Sequence, residues 1–488
     1  MSEDARGENT AAQLWTAYEA AAATGGALCA RGGGEAAWAA EEWAARGVSI
    51  DTRSIRPGEI FVALRDARDG HEFIKKAFDA GAAAALVARA PDDAPDGAPL
   101  LVVQDTLQGL RDLALAARMR NFGKRIAVTG SVGKTSTKEM LRAMLAGSGA
   151  VHAADKSFNN HFGVPLTLAR LPMHADYAVF EIGMNHGGEI TPLSHLVRPH
   201  AAIVTAVAAA HLEAFRSVEE IAEAKAEIFA GLAPGGVAIL PRDSEYFEFL
   251  KTRAGEAGAA SFATFGESDD ADFRLAGYRA DGDGATVDVR IKGEEMTVRC
   301  GAPGRHQATN ALAGLAAIDA VGGALGPAIE ALAHIKPVQG RGARVKIDLP
   351  GGAAELIDES YNANPLSMAA SLKLLAAAPL APGGRRIAVL GEMLELGEEG
   401  PALHVALEKE LTAAKVDRLY ATGALMERLY EACPKDMRGA FASSADGLIN
   451  AVIDDLKPGD IVMVKGSNGS KVSVIANALM ALSEKKRT

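Results

Sequence analysis

Apolar positions along this chain keep two spacings that take turns. Residues 126–128 form a short apolar run, and beyond a Gly-rich turn Met140, Leu141, Met144 and Leu145 recur at helical spacing, so a strand feeds a helix. The same change of period returns through 177–182, 201–207 and 237–240. It returns again at 356–365, 386–397, 418–423 and 460–467, where each strand-like run turns at Gly or Asn. Strand followed by helix, repeated, predicts βαβ units and parallel sheets. Upstream, 48–64 holds two short strand-like runs about Pro57-Gly58, 73–80 is an amphipathic helix, 84–87 a strand and 107–119 a Leu- and Ala-rich helix. Residues 10–45 read as helix plus loop, with Trp15, Trp38 and Trp43 as packing residues. One stretch differs: over 271–300 a two-residue alternation about residues 281–284 predicts a β-hairpin appended to the parallel sheet.

Boundaries near Phe122 and in the linker-like 338–344 divide this α/β chain into three domains, 1–122, 123–340 and 341–488. That number suits 488 residues at roughly 100–200 per domain. A 48% hydrophobic composition is enough for three cores, and a formal net charge of −11 argues against general nucleic-acid binding. Cys29, Cys300 and Cys433 are scattered with no CxxC pair, which suggests neither a disulfide framework nor zinc and fits a reducing cytosol. Residues 1–12 are polar, unlike a signal peptide, and no apolar run reaches the ~18 residues that span a bilayer. A cytoplasmic monomer without membrane insertion is expected.

The chemistry begins at Thr129-Gly-Ser-Val-Gly-Lys-Thr-Ser136. Gly130 and Gly133 let the backbone approach an anion, the helix start offers unpaired N–H groups, Lys134 adds a charge, and the Thr135 hydroxyl can hold Mg2+. This P-loop-like cradle points to phosphate binding, with an ordinary glycine turn as the other reading, and its first glycine arrives late compared with a Walker A motif. Glu181, ending a strand, should face the phosphates and could complete the Mg2+ site with Thr135; a buried structural carboxylate is the other reading. His211 shares that sheet edge. Next, Ser217-Val-Glu-Glu220 is a capping box, and Ile221, Ala224, Ile228, Phe229 and Leu232 mark a buried stripe, with Glu219, Glu223 and Glu227 away from it. Lys225 falls inside the stripe. An unpaired buried ammonium costs several kcal/mol, so a carbamate that offers oxygens to a second Mg2+, an ion pair, or a snorkelling stem is expected. Asp51, Thr52 and Arg53 either grip a polar ligand or form a solvated turn. His306 and Asn310 either touch a nucleotide or cap a helix. The last domain reads as Rossmann-like without GxGxxG, and Asp358 at a strand end could hold a ribose hydroxyl.

Taken in order, the cradle, Phe158-Asn-Asn160, Glu181-Ile-Gly-Met-Asn185, His211-Leu-Glu213, Lys225, Gly304-Arg-His306, Gly340-Arg341, Asp358 to Pro365 and Leu390 to Gly397 resemble the Mur ligases over almost the whole chain. Tyr361-Asn-Ala-Asn-Pro365, Thr137-Lys-Glu139 and Glu392 to Gly397 are similar to the branch that adds D-alanyl-D-alanine, and the Asp-Asn-Pro-Arg motif of the diaminopimelate- or lysine-adding branch is missing. The resemblance implies an ATP-driven amide ligation between UDP-N-acetylmuramoyl-tripeptide and D-alanyl-D-alanine. It implies the UDP-sugar in the first domain near Thr52 and Arg53, with Asn159 and Asn160 also toward substrate. ATP would meet Gly130, Ser131, Val132, Gly133, Lys134, Thr135, Ser136, His306, Asn310, Arg341 and Asp358. Thr135 and Glu181 would hold one Mg2+, and Glu181, His211 and carbamylated Lys225 the other. Lys134, His211 and Lys225 would be catalytic, and Asn362 and Asn364 would line the dipeptide side. Two departures stand out: Gln307 replaces the usual Asn, and Lys465-Gly-Ser-Asn-Gly-Ser470 lacks the usual arginine, so no role is assigned to that run. Other readings are a neighbouring ligase, including a folylpolyglutamate synthetase, and a switch that hydrolyses ATP without ligating.

Overall fold

The alternation becomes three main sheets and a two-stranded ribbon in a computed structural model that describes residues 13–31, 42–210, 212–281 and 283–484. Trp38 and His211 lie outside the described residues. One compact unit holds the described residues as far as Ala127 with Gly149–Ile182 and Pro192–Pro199; the other holds Val128–Ser148, Gly183–Thr191 and the described residues from His200 on.

The first unit contains a five-stranded sheet in the order Ala27–Ala30, Pro99–Val102, Ala84–Val87, Glu59–Val62, Gly47–Ser49, with only the first pair antiparallel. Ile60, Phe61 and Val62 and the whole of Ala84–Val87 are buried, as strands covered on both faces require. The helix Thr106–Arg120 begins where the Asp105 carboxylate accepts from Gln108 N at 2.8 Å. Trp15 packs as expected: its Nε1 donates to Ala169 O at 3.0 Å and the Arg120 guanidinium lies 3.9 Å from the ring centre.

The nine-stranded sheet runs Glu294–Cys300, Gly284–Ile291, Phe273–Asp281, Ser261–Gly266, Val237–Pro241, Ala201–Val204, Lys124–Thr129, Tyr177–Glu181, Val151–Ala153. The expected hairpin forms, with Asp281 pairing with Gly284, and a third antiparallel strand extends it to a meander. Its second turn passes through Lys292 at φ 53° and Gly293 at φ 92°, left-handed at both positions, and a lysine there gives little turn signal.

The six-stranded sheet runs Ala343–Leu349, Gly352–Glu359, Ile461–Lys465, Arg386–Gly391, Arg418–Thr422, Arg438–Ala442, again with only the first pair antiparallel. Leu356, Val389 and Val462 enter one core, and Ile357, Ala388 and Met463 the opposite one, so alternate residues serve opposite faces. The expected linker over 338–344 ends early, because Ala343 already pairs with Asp358. Among the described residues no helix is long and apolar enough to cross a membrane.

Candidate active site

The strand Lys124–Thr129 stops at Gly130, and the helix Lys134–Leu145 starts after Gly133. Gly130 (φ 148°) and Gly133 (φ 84°) both lie where a side chain is strained. A Cβ at Gly130 would fall 1.9 Å from Thr205 Oγ1, and one at Gly133 would fall 2.7 Å from Asn310 Oδ1. Among the described residues no side chain caps the helix at Gly133, and a glycine-led helix start of this kind is the geometry that binds phosphate. Lys134 Nζ folds back to donate to Gly130 O at 2.6 Å, Thr135 is buried, and Ser136 is half-buried on the same turn.

The segment after Ala201–Val204 buttresses the cradle. Ser131 N donates to Ala206 O (2.8 Å), Ser131 Oγ to Ala208 O (2.9 Å), and Ala208 N to Ser131 Oγ (3.0 Å). The Thr205 hydroxyl donates to Val132 O at 2.5 Å. Of the expected nucleotide residues Ser131 and Val132, the hydroxyl of the first and the carbonyl of the second help to hold the loop's shape.

On the helix Val218–Ala226, Lys225 is 2% exposed, and among the described residues no carboxylate pairs with it. Burial above all, and then the charge of Lys134, pull its pKa well below the ordinary lysine value. Ser217 caps this helix through Glu220 N at 3.4 Å, but the return bond of the expected capping box goes one residue earlier, from Arg216 N to Glu220 Oε2 at 2.9 Å. Glu227 also departs from expectation. The helix tightens to a 3-10 turn at Glu227–Gly231, which swings the carboxylate round to accept from Gly188 N (2.5 Å), Ile190 N (3.0 Å) and Thr191 N (2.9 Å).

In the first unit the loop 49–54 opens on a cavity of about 540 Å³. Thr52, Arg53, Arg68, Lys76, Lys156 and Arg170 are among its lining residues, against the acids Asp51 and Asp66. The Arg53 guanidinium clasps Asp51 (Nη2 to Oδ2 2.7 Å, Nε to Oδ1 2.9 Å), a bond that holds the carboxyl below the usual range. Such a cation-rich hollow suits a ligand bearing phosphate or carboxylate groups. Asn159 Nδ2 donates to Glu181 Oε1 at 2.8 Å, and Glu181 is buried. Asn160 points its Oδ1 at Gly163 N (2.9 Å), capping the next turn. The sequence named Thr52 and Arg53 but missed Arg68, Lys76, Lys156 and Arg170, which come from other loops, the helix Ile74–Asp79 and the end of the helix Gly163–Ala169.

Two family models match, the Mur ligase middle domain over residues 128–318 and the Mur ligase, glutamate ligase domain over residues 341–468. The chain is also 36% identical over 433 residues to the UDP-N-acetylmuramoyl-tripeptide--D-alanyl-D-alanine ligase of Escherichia coli, covering 88% of this chain and 93% of the relative. The chain belongs to the Mur ligases. Its resemblance is to the MurF type: a MurF structure from Acinetobacter baumannii superposes with a TM-score of 0.80 at 27% identity over 96% of this chain and 99% of that one. A MurF ligase from Thermotoga maritima, solved in complex with ADP, gives 0.75 at 25% identity over 90% and 98%.

In the C-terminal half of this Mur ligase the expected nucleotide and dipeptide residues are partly committed to the fold. Asp358, 1% exposed, accepts from Gly340 N (2.9 Å), Ser360 Oγ (2.6 Å) and Ser360 N (3.2 Å), so it shapes the turn where the expected ribose contact was placed. Arg341 lies over the Tyr361 ring, 4.1 Å from its centre. Asn362 is exposed, whereas Asn364 is the N-cap of Pro365–Ala377, its Oδ1 accepting from Ser367 N at 2.9 Å. His306 sits over Gly304, its pKa lowered by burial, raised by Glu359 and lowered by Lys465. Gln307 is buried with its Oε1 unpartnered among the described residues. Sequence reasoning passed over the buried Lys465–Glu359 pair (3.4 Å); its only signal was a charge at each of two adjacent strand ends. Among the described residues no three His, Cys, Asp or Glu side chains gather into a metal cluster; the metal set inferred from sequence includes Thr135, Lys225 and the undescribed His211.

Proposed function

We propose that this Mur ligase works in the cytoplasm as an ATP-dependent ligase that joins D-alanyl-D-alanine to UDP-N-acetylmuramoyl-tripeptide in peptidoglycan precursor synthesis. The observation that carries this reading is the presence of two built sites, a phosphate cradle in one unit and a cation-lined cavity in the other. A nucleotide switch needs only the first.

The tripeptide's terminal carboxylate attacks the γ-phosphate of ATP, giving an acyl phosphate and ADP; the dipeptide amine then adds to the acyl carbon and expels phosphate. Both steps concentrate negative charge, so the N–H groups at the start of Lys134–Leu145 and the Lys134 ammonium act by holding it. Mg2+, when bound, neutralises phosphate charge; Thr135 and Glu181 would hold one ion, and Glu181, His211 and a carbamylated Lys225 a second. The described residues fit that role at Lys225: no described carboxylate pairs with this buried amine and burial draws its pKa down, which favours the neutral form that takes up CO2. The first domain receives the UDP-sugar against Arg53, Arg68, Lys76, Lys156 and Arg170, and the loops at the carboxyl ends of the last sheet receive the dipeptide.

Mass analysis of the product tests the reaction. Purified protein with ATP, Mg2+, UDP-N-acetylmuramoyl-tripeptide and D-alanyl-D-alanine should yield a UDP-N-acetylmuramoyl species heavier by one dipeptide less water. ATP hydrolysis with the tripeptide left unextended would overturn the reading.

A further inference from the structure

The strand Ile461–Lys465 lies between Gly352–Glu359 and Arg386–Gly391 and runs parallel to both. Lys465 stands opposite Glu359 on one side and Leu390 on the other, so three strands deliver their carboxyl ends to one place. In open parallel sheets that is where loops meet a ligand.

The Lys465-Gly466-Ser467 run is tied there to the loops that follow both neighbours. Lys465 Nζ donates to Asn362 O at 3.0 Å and to Glu359 Oε2 at 3.4 Å. The Ser467 hydroxyl donates to Ala363 O (3.2 Å) and accepts from Leu394 N (2.9 Å), while Ser467 N donates to Glu392 O (2.9 Å). Ser470 Oγ, donating to Ser467 O at 2.6 Å, closes the turn, and a Cβ on Gly466 would fall 2.5 Å from that same oxygen. Lys465 is 2% and Ser467 5% exposed, yet the residues at the tips of the loops they hold, Tyr361, Asn362 and Leu394, are exposed.

A buried strand end could be filled by an apolar residue at no cost in desolvation. An ammonium that stays buried to bind a loop carbonyl and a carboxylate instead fixes where that loop sits. We propose that Lys465 and Ser467 are positioning residues for the amine-bearing substrate: together they clamp residues 360–364 and 392–394 into one rim whose exposed tips face the incoming short peptide. The proposal deepens the ligase reading and rests on it.

Lys465→Met and Ser467→Ala in the full chain test it through two half-reactions. Hydroxylamine, supplied in place of the dipeptide, traps the acyl phosphate as a hydroxamate and reports the first step alone. Both variants should trap within about twofold of the parent rate with the KM for ATP unchanged, while the KM for D-alanyl-D-alanine rises about tenfold, the scale of one lost charge-assisted or buried hydrogen bond. An unchanged dipeptide KM in both variants, or trapping that falls in step with it, would overturn the proposal. Should Lys465→Met fail to fold, Ser467→Ala, which removes a single hydroxyl, decides by the same two readouts. A parent protein that traps hydroxamate but never extends the tripeptide with D-alanyl-D-alanine would sink the ligase reading itself.

Discussion

Lys225 carries the strongest demand that any single residue makes on the surrounding chemistry. Its folded pKa is depressed, so between that value and the unfolded lysine value of roughly 10.4 the unfolded chain binds the extra proton, and stability rises with pH across that window. In CO2-free buffer at neutral pH, Lys225→Met should therefore melt higher than the parent, and the gap should narrow as the pH climbs toward 10. Adding bicarbonate should narrow it too, because a carbamate formed only in the folded state stabilises that state. Differential scanning calorimetry with and without bicarbonate reads both effects. A parent melting point indifferent to bicarbonate would contradict the carbamate. The lysine's place in the apolar stripe was legible in the sequence, since Ile221, Ala224, Ile228 and Phe229 set the helical face around it. That no described carboxylate pairs with it was not legible, because acids remote in sequence could have reached it.

Elements show where pattern reading ends. Central strands announced themselves as unbroken apolar runs, whereas Ala343–Leu349 and Arg438–Ala442, the two edge strands of the last sheet, are mostly half-solvated and gave almost no signal. The tightening at Glu227–Gly231 changed the residue period, and with it the direction of Glu227, without any marker in the sequence. Asn364 shows a different limit: an amide beside a proline suits a ligand contact or a helix cap equally well until the backbone is known. Its capping bond to Ser367 N predicts that Asn364→Ala lowers unfolding free energy by about 1 kcal/mol, measured by urea denaturation. An unchanged midpoint would return Asn364 to the ligand side.

At the scale of the whole molecule, a chain with a formal net charge of −11 still places cations where anions would be met. Lys134 stands at the cradle, and Arg53, Arg68, Lys76, Lys156 and Arg170 line the cavity of the first unit. The family's order of motifs made the cradle and the loop at Thr52 and Arg53 legible, but the remaining cations reach the cavity only through the fold. Two such sites in one chain fit nucleotide turnover coupled to a second, anionic substrate. A coupled ADP-release assay with purified acceptors tests that most directly. The account predicts sustained, multiple-turnover ADP release only when UDP-N-acetylmuramoyl-tripeptide and D-alanyl-D-alanine are both present, and one turnover at most with the tripeptide alone; sustained ADP release that ignores D-alanyl-D-alanine, or that depends on L-glutamate in its place, would contradict it.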